Sequence, residues 1–284
     1  PKQEGGLIIS GHMDVVPTVG QPWLTDPFVL TRKDDKLYGR GTCDMKGFIA
    51  SVLHALLELD LSNIKKPLYL VWTYDEEVGC LGSAHLVDTI KNSKIDISAK
   101  TALIGEPTDF NIFRMHPGHV SLKITAKGEA AHSSKPDLGA SAIKAMTKIL
   151  SVIDKFEEDL KKRKFLEEYL ERPYVTVNTG VINGGTTVNI VPDECSIILG
   201  YRPLPGSNVL DCQKELLSQL KETKLPNRTF FDVETISVCP PMLSKKNTAL
   251  EKNLLPHANS KKVTAASFAT DGGNLQELGI ESLI

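Results

Sequence analysis

Apolar positions in the first hundred residues come in short blocks set off by polar turns. Leu7–Ile9 is a continuous apolar run next to glycines, the texture of a strand buried on both faces. Leu68–Thr73 and Thr101–Ile104 repeat it. Between the first two lies GFIASVLHALLELD, whose apolar residues at 49, 52, 53, 56 and 57 follow the spacing of one helix face. A second helix is predicted over Ser83–Lys91, and a hairpin where Val29–Leu30 and Leu37–Tyr38 flank Lys33-Asp34-Asp35-Lys36. This strand–helix alternation predicts an α/β domain around a mostly parallel sheet.

Near residue 115 the rhythm changes. HVSLKITAKG alternates like a half-exposed strand. A long helix is predicted from about Ala140, with apolar residues at 142, 146, 149, 153, 156 and 160. Strands at Val175–Val181 and Ser196–Tyr201, a helix near Asn208–Leu220 and a strand near Phe230–Ser237 complete the order β-α-β-β-α-β, that of a ferredoxin-like unit. Val263–Phe268 and Ile280–Ile284 return to buried-strand texture, so the ferredoxin-like unit is expected as an insertion. The expected segments are 1–114, 115–238 and 239–284. The chain starts at Pro1, close to a buried strand, and stops inside another, and so reads as a fragment of a longer protein.

Composition narrows the function. With 33 basic and 35 acidic residues, the net charge of −2 gives no electrostatic footprint for nucleic acid or an anionic membrane. No apolar run approaches the ~20 residues of a membrane span. Five cysteines without CxxC spacing predict reduced thiols and a cytoplasmic location.

The acids change the picture most. His12 and Asp14 follow the first strand, Glu76 and Glu77 the second, and Glu106 the third. In an open parallel sheet, ligands bind at the carboxyl ends of the strands. Asp44 joins them from the glycine-rich turn GRGTCDMKG, where Gly39, Gly41 and Gly47 permit a tight path. Five carboxylates in one cleft need a counter-charge. Arg40 and Lys46 are candidates for part of it; one or two divalent cations supply more, and zinc accepts both imidazole and carboxylate. Asp14 is placed to orient His12 by accepting its second N–H. Taken singly, a HxD motif, a glutamate pair after a strand and a GEPT turn are weak signals. Their convergence on three strand ends favours a metal site.

SGHMDVVP, LYGRGTCDMKG, YDEEVG and GEPT, with GEAAHSSKPDLGASAI, INGGTTVNIVPDE and YRPLPG in the predicted insertion, resemble the di-zinc aminoacylase and carboxypeptidase family. The resemblance implies a metal-dependent amidohydrolase with a zinc-peptidase-like catalytic domain and a ferredoxin-like dimerisation domain. It makes His12 and Glu106 ligands of one metal, Asp44 a bridge, Glu77 a ligand of the second metal, and Glu76 the general base. It also implies that His132 reaches across a homodimer to stabilise an oxyanion, and that Asn189 and Arg202 hold substrate. On their own these three read as a loop histidine, a turn residue and a surface ion pair. The cofactors implied are two divalent ions, zinc or alternatively cobalt. A further histidine ligand is expected after a Gly-Pro-Gly turn; no such turn occurs in the 284 residues, and His257 is a weak substitute. TDGG at Thr270–Gly273 resembles the family's substrate loop, with only a structural role expected.

Within the family the runs around His132 and Asn189 look most like acetylornithine deacetylase, which implies hydrolysis of N2-acetyl-L-ornithine in arginine biosynthesis. Succinyl-diaminopimelate desuccinylase and a di-zinc dipeptidase are the enzymatic alternatives. A catalytically silent dimeric binding module is the non-enzymatic one, and the presence of His12, Asp44, Glu76, Glu77 and Glu106 counts against it.

Overall fold

The three continuous apolar runs become the strands β1 (Leu7–His12), β2 (Leu68–Thr73) and β3 (Thr101–Ile104) in a computed structural model, which describes residues 5–92, 95, 97–165 and 170–284. They form a parallel sheet with Glu281–Leu283, in the order Glu281–Leu283, β3, β1, β2. His12 stands opposite Thr73, and Ser10 opposite Ile104. The residues that follow these strands therefore emerge along one edge of the sheet. Helices α1 (Lys46–Glu58) and α2 (Leu81–Asn92) connect the strands, as α/β alternation requires. The core beside the sheet contains Ile8, Ala102, Ile104, Leu275 and Ile280.

The structure departs from the sequence reading in places. The hairpin pairs Thr31–Lys33 with Lys36–Tyr38, leaving Val29 and Leu30 exposed ahead of it. Asp34 and Asp35 both take positive φ (51° and 57°), the backbone of a two-residue type I′ turn. That turn sets Lys33 opposite Lys36 and so fixes the register. The expected strand at Val263–Phe268 shrinks to Thr264–Ala265, which pairs with Phe113–His116 in a small sheet that also holds Met242–Leu243. Helix α1 forms at the predicted period, yet none of its residues is fully buried and Leu57 is 83% exposed.

The chain divides into two compact units: Pro1–His116 with Met242–Ile284, and Pro117–Pro241. The second contains β4 (His119–Lys127), α3 (Ala142–Lys162), β5 (Thr176–Gly184), β6 (Glu194–Arg202), α4 (Asp211–Glu222) and β7 (Phe230–Cys239). Its sheet is antiparallel throughout, in the order β7, β4, β6, β5. Alternation in β4 buries Val120, Leu122, Ile124 and Ala126 in one core with Ala142, Met146, Ile149, Ile153 and Phe156 of α3. The Ser141 side chain caps α3 by accepting from the Lys144 N–H. Strand β5 is an edge, with Val181 and Ile182 exposed.

Candidate metal centre

The edge where β1, β2 and β3 end gathers the predicted acids. His12, the last residue of β1, is 1% exposed. Its Nδ1 lies 3.0 Å from the main-chain oxygen of Asp14. A carbonyl only accepts, so Nδ1 carries a proton, and in the neutral ring the Nε2 lone pair is left for a ligand role. The predicted partner, the Asp14 carboxylate, is farther away at 3.4 Å; its Oδ2 instead accepts the Glu77 N–H at 3.1 Å. Asp14 thus ties the end of β1 to the glutamate turn after β2.

His12 Nε2 lies 2.9 Å from Asp44 Oδ1 and 4.0 Å from Glu106 Oε1. Asp44 is delivered by the turn before α1, where Gly41 takes φ 85°. At Gly47 an added Cβ would fall 2.2 Å from the Thr42 oxygen, so only glycine lets the chain double back there. Glu76 and Glu77 come from a reversal that begins at Asp75, with φ 53°. The N–H groups of Gly79 and Cys80 both donate to the Glu76 oxygen, and the Gly82 N–H donates to the Tyr74 oxygen. Donor atoms of His12, Asp44 and Glu77 lie within 4.8 Å of one another, as do those of His12, Glu76 and Glu106. The second group includes Glu76, which the resemblance makes a base and not a ligand.

Electrostatics mark a surplus of negative charge. Burial, then the charge of Asp271, pushes Glu76 up from 4.5 to about 7. Burial, then Glu76, pushes Glu106 up to about 8. Glu77 is raised by burial and then by Asp44. For His12, burial opposes the charged form, but the Asp44 hydrogen bond and the Glu106 and Glu76 charges outweigh it, raising the ring to about 9. The counter-charge expected from Arg40 and Lys46 is not delivered: among the described residues neither pairs with these acids, and Arg40 lies over the Trp23 ring at 5.1 Å. An imidazole nitrogen and several carboxylate oxygens with excess negative charge fit a divalent cation.

The second unit carries the other predicted residues. Ala131–His132 pairs with Ile190–Val191, and the Ser133 N–H donates to the Asn189 oxygen at 2.9 Å. His132 and Asn189 therefore share one short ribbon. The Ser134 N–H donates to His132 Nδ1 at 3.2 Å, so the neutral ring holds its proton on Nε2. Arg202 ends the nine-residue β6, roughly 25 Å along the strand from the ribbon side. There His119 is lowered by burial and then by the Arg202 charge. His257 lines a cavity of about 650 Å³ that includes Cys43, Phe48 and Glu106, but it belongs to neither donor group.

Residues 8–250 match the sequence pattern of peptidase family M20/M25/M40. The chain belongs to this family. The M20 peptidases and deacetylases are metal-dependent hydrolases. Acetylornithine deacetylase of Klebsiella pneumoniae (strain 342) is 41% identical over 207 residues, 73% of this chain and 52% of that protein. The chain spans about half the length of this curated relative. An M20 family metallo-carboxypeptidase from Sulfolobus solfataricus superposes with a TM-score of 0.73 at 19% identity, covering 98% of this chain and 76% of its own. A tripeptidase from Staphylococcus aureus gives a TM-score of 0.67 at 22% identity, covering 99% and 72%. These two likenesses are of fold.

Three residues near these acids were not singled out as site residues from the sequence. Thr73 and Cys80 bracket the glutamate turn, and Asp271 lies behind it. Cys80 Sγ is 3.6 Å from Glu76 Oε1. A threonine closing a strand and a cysteine in a turn carry no signal alone; only TDGG pointed to Asp271.

Proposed function

We propose that the protein is a metal-dependent amidohydrolase that cleaves N2-acetyl-L-ornithine to L-ornithine and acetate, in the cytoplasm, as part of arginine biosynthesis. The observation that carries the reaction class is the meeting of His12, Asp44, Glu76, Glu77 and Glu106 at one sheet edge with an unbalanced negative charge. The choice of substrate is supported by the 41% identity to the Klebsiella enzyme. In this reading His12 and Glu106 would hold one ion and Glu77 the second, with Asp44 available to both; zinc suits the set, and cobalt also fits it.

When bound, the metal pair supplies Lewis acidity and lowers the pKa of water. Glu76, buried and drawn toward neutrality, takes the proton of the attacking water and returns it to the leaving amine. The Asp14–Glu77 hydrogen bond holds the turn in register with His12. His132 offers its Nε2 proton to the oxyanion of the tetrahedral intermediate, acting from the partner subunit of a homodimer. The exposed edge β5, with Val181 and Ile182, supports association through the ferredoxin-like unit. In the same reading Asn189, beside the His132 ribbon, and Arg202, at the end of β6, bind substrate.

Steady-state kinetics of the full-length protein on acetylornithine, succinyl-diaminopimelate and a dipeptide test the assignment. The highest kcat/KM is expected for acetylornithine; an equal or higher value for either competitor overturns that choice. Because Glu76 groups with His12 and Glu106, the base and ligand roles need their own test. Glu76→Gln is expected to keep full metal content and lose most activity, whereas Glu77→Gln loses metal. The reverse pattern exchanges the two roles.

A further inference from the structure

The glutamate turn is gripped at both ends by one short stretch of chain nearly two hundred residues away. At its start, Thr73 closes β2 beside His12, and its hydroxyl donates to Asp271 Oδ2 at 2.6 Å. At its end, Asn274 Nδ2 donates to the Cys80 oxygen at 3.0 Å and to Ser83 Oγ at 2.8 Å. Ser83 Oγ in turn donates to the Cys80 oxygen at 3.0 Å. Thr73, Asp271 and Asn274 are each no more than 3% exposed, so water does not compete for these bonds. The Asp271 segment is itself fixed, because the Thr270 N–H donates to the buried ring of His116 at 3.3 Å.

Between the two grips the backbone runs through positive φ at Asp75, Gly79 and Cys80. A short turn held by its ends has little freedom to redirect Glu76 and Glu77. A turn released at one end has a great deal. We propose that Thr73, Asp271 and Asn274 form a clamp that sets where the Glu76 and Glu77 carboxylates stand, and so act as positioning residues for the hydrolysis. The inference rests on the roles given above to those two glutamates. None of the three touches the reacting atoms in this account; each acts through the turn.

Thr73→Val removes the hydroxyl and nearly keeps the shape, and Thr73→Ser restores the hydroxyl. In the cobalt-loaded full-length protein, Thr73→Val is expected to change the visible absorption of the bound Co²⁺, because a ligand has moved. It is expected to lower kcat by about 10–100-fold with KM within about two-fold, the scale of a roughly 1 Å misplacement. Its melting temperature should fall by no more than about 5 °C. Thr73→Ser should restore both spectrum and kcat. A wild-type spectrum in Thr73→Val, with activity lost only in proportion to unfolded protein, would reduce the clamp to a prop for the fold and overturn the proposal. If Thr73→Val does not fold, Asn274→Ser is read by the same two measurements. If the unaltered protein cleaves no acyl amino acid, the hydrolase reading falls, and the cobalt spectrum alone decides the clamp.

Discussion

His12 and His132 show how one ring nitrogen's fixed contact decides what the other can do. At His12 a carbonyl accepts from Nδ1–H, and the neutral ring then offers Nε2 as an electron-pair donor. At His132 a main-chain N–H fills Nδ1 and leaves a proton on Nε2. The first arrangement suits a metal ligand, the second an oxyanion donor. His132→Ala is accordingly expected to lower kcat by about 10²–10³-fold, as for the loss of one oxyanion donor. Mixed dimers of His132→Ala and Glu76→Gln chains should recover part of the activity if the histidine serves the partner, measured after co-expression with two tags. Neither tautomer was legible in the sequence, because both are set by main-chain atoms. The HxD spacing pointed to the Asp14 carboxylate as the orienting group, and the main-chain oxygen of the same residue makes the shorter contact.

Elements with a long apolar period were legible, and those ruled by turn geometry were not. Helix α3 lies where its repeat placed it, because Ile149, Ile153 and Phe156 face a single core. Phe156→Ala is expected to cost about 3–5 kcal/mol, readable as a lower denaturation midpoint. The first strand of the hairpin at Asp34-Asp35 lies two residues after the predicted Val29–Leu30, because turn type, not hydrophobicity, sets its register. Two-residue strands such as Met242–Leu243 and Thr264–Ala265 are too short to show any period. The glutamate turn lies between these cases. A reversal after Tyr74 was needed to aim both acids at one cleft, but its closure on Gly82 was not foreseen. An added Cβ at Gly82 would stand 2.3 Å from the Tyr74 oxygen. Gly82→Ala is therefore expected to destabilise by about 1–3 kcal/mol, seen in the melting temperature.

For the whole molecule, the site makes stability without metal depend on pH. Glu76 and Glu106 bind protons more tightly folded (about 7 and about 8) than unfolded (4.5), and His12 does so at about 9 against 6.5. A raised folded pKa gives stability that is fully present below the unfolded value and is lost as pH rises through the folded one. Metal-free protein is thus expected to melt at progressively lower temperature from about pH 5 to pH 9, and metal should remove most of that slope; calorimetry at several pH values reads it directly. The second unit begins at Pro117, close to the change of rhythm near residue 115, whereas the contacts that tie the late segment to the early one do not show in any local pattern. Those contacts also have a timing. Pro117–Pro241 is one continuous stretch, but Thr73 waits for Asp271, 198 residues downstream. At about 5–20 residues per second of synthesis, that is roughly 10–40 s. During this interval a nascent chain carries both glutamates without the contacts of Asp271 and Asn274, so the proposed clamp closes late in the life of each new molecule.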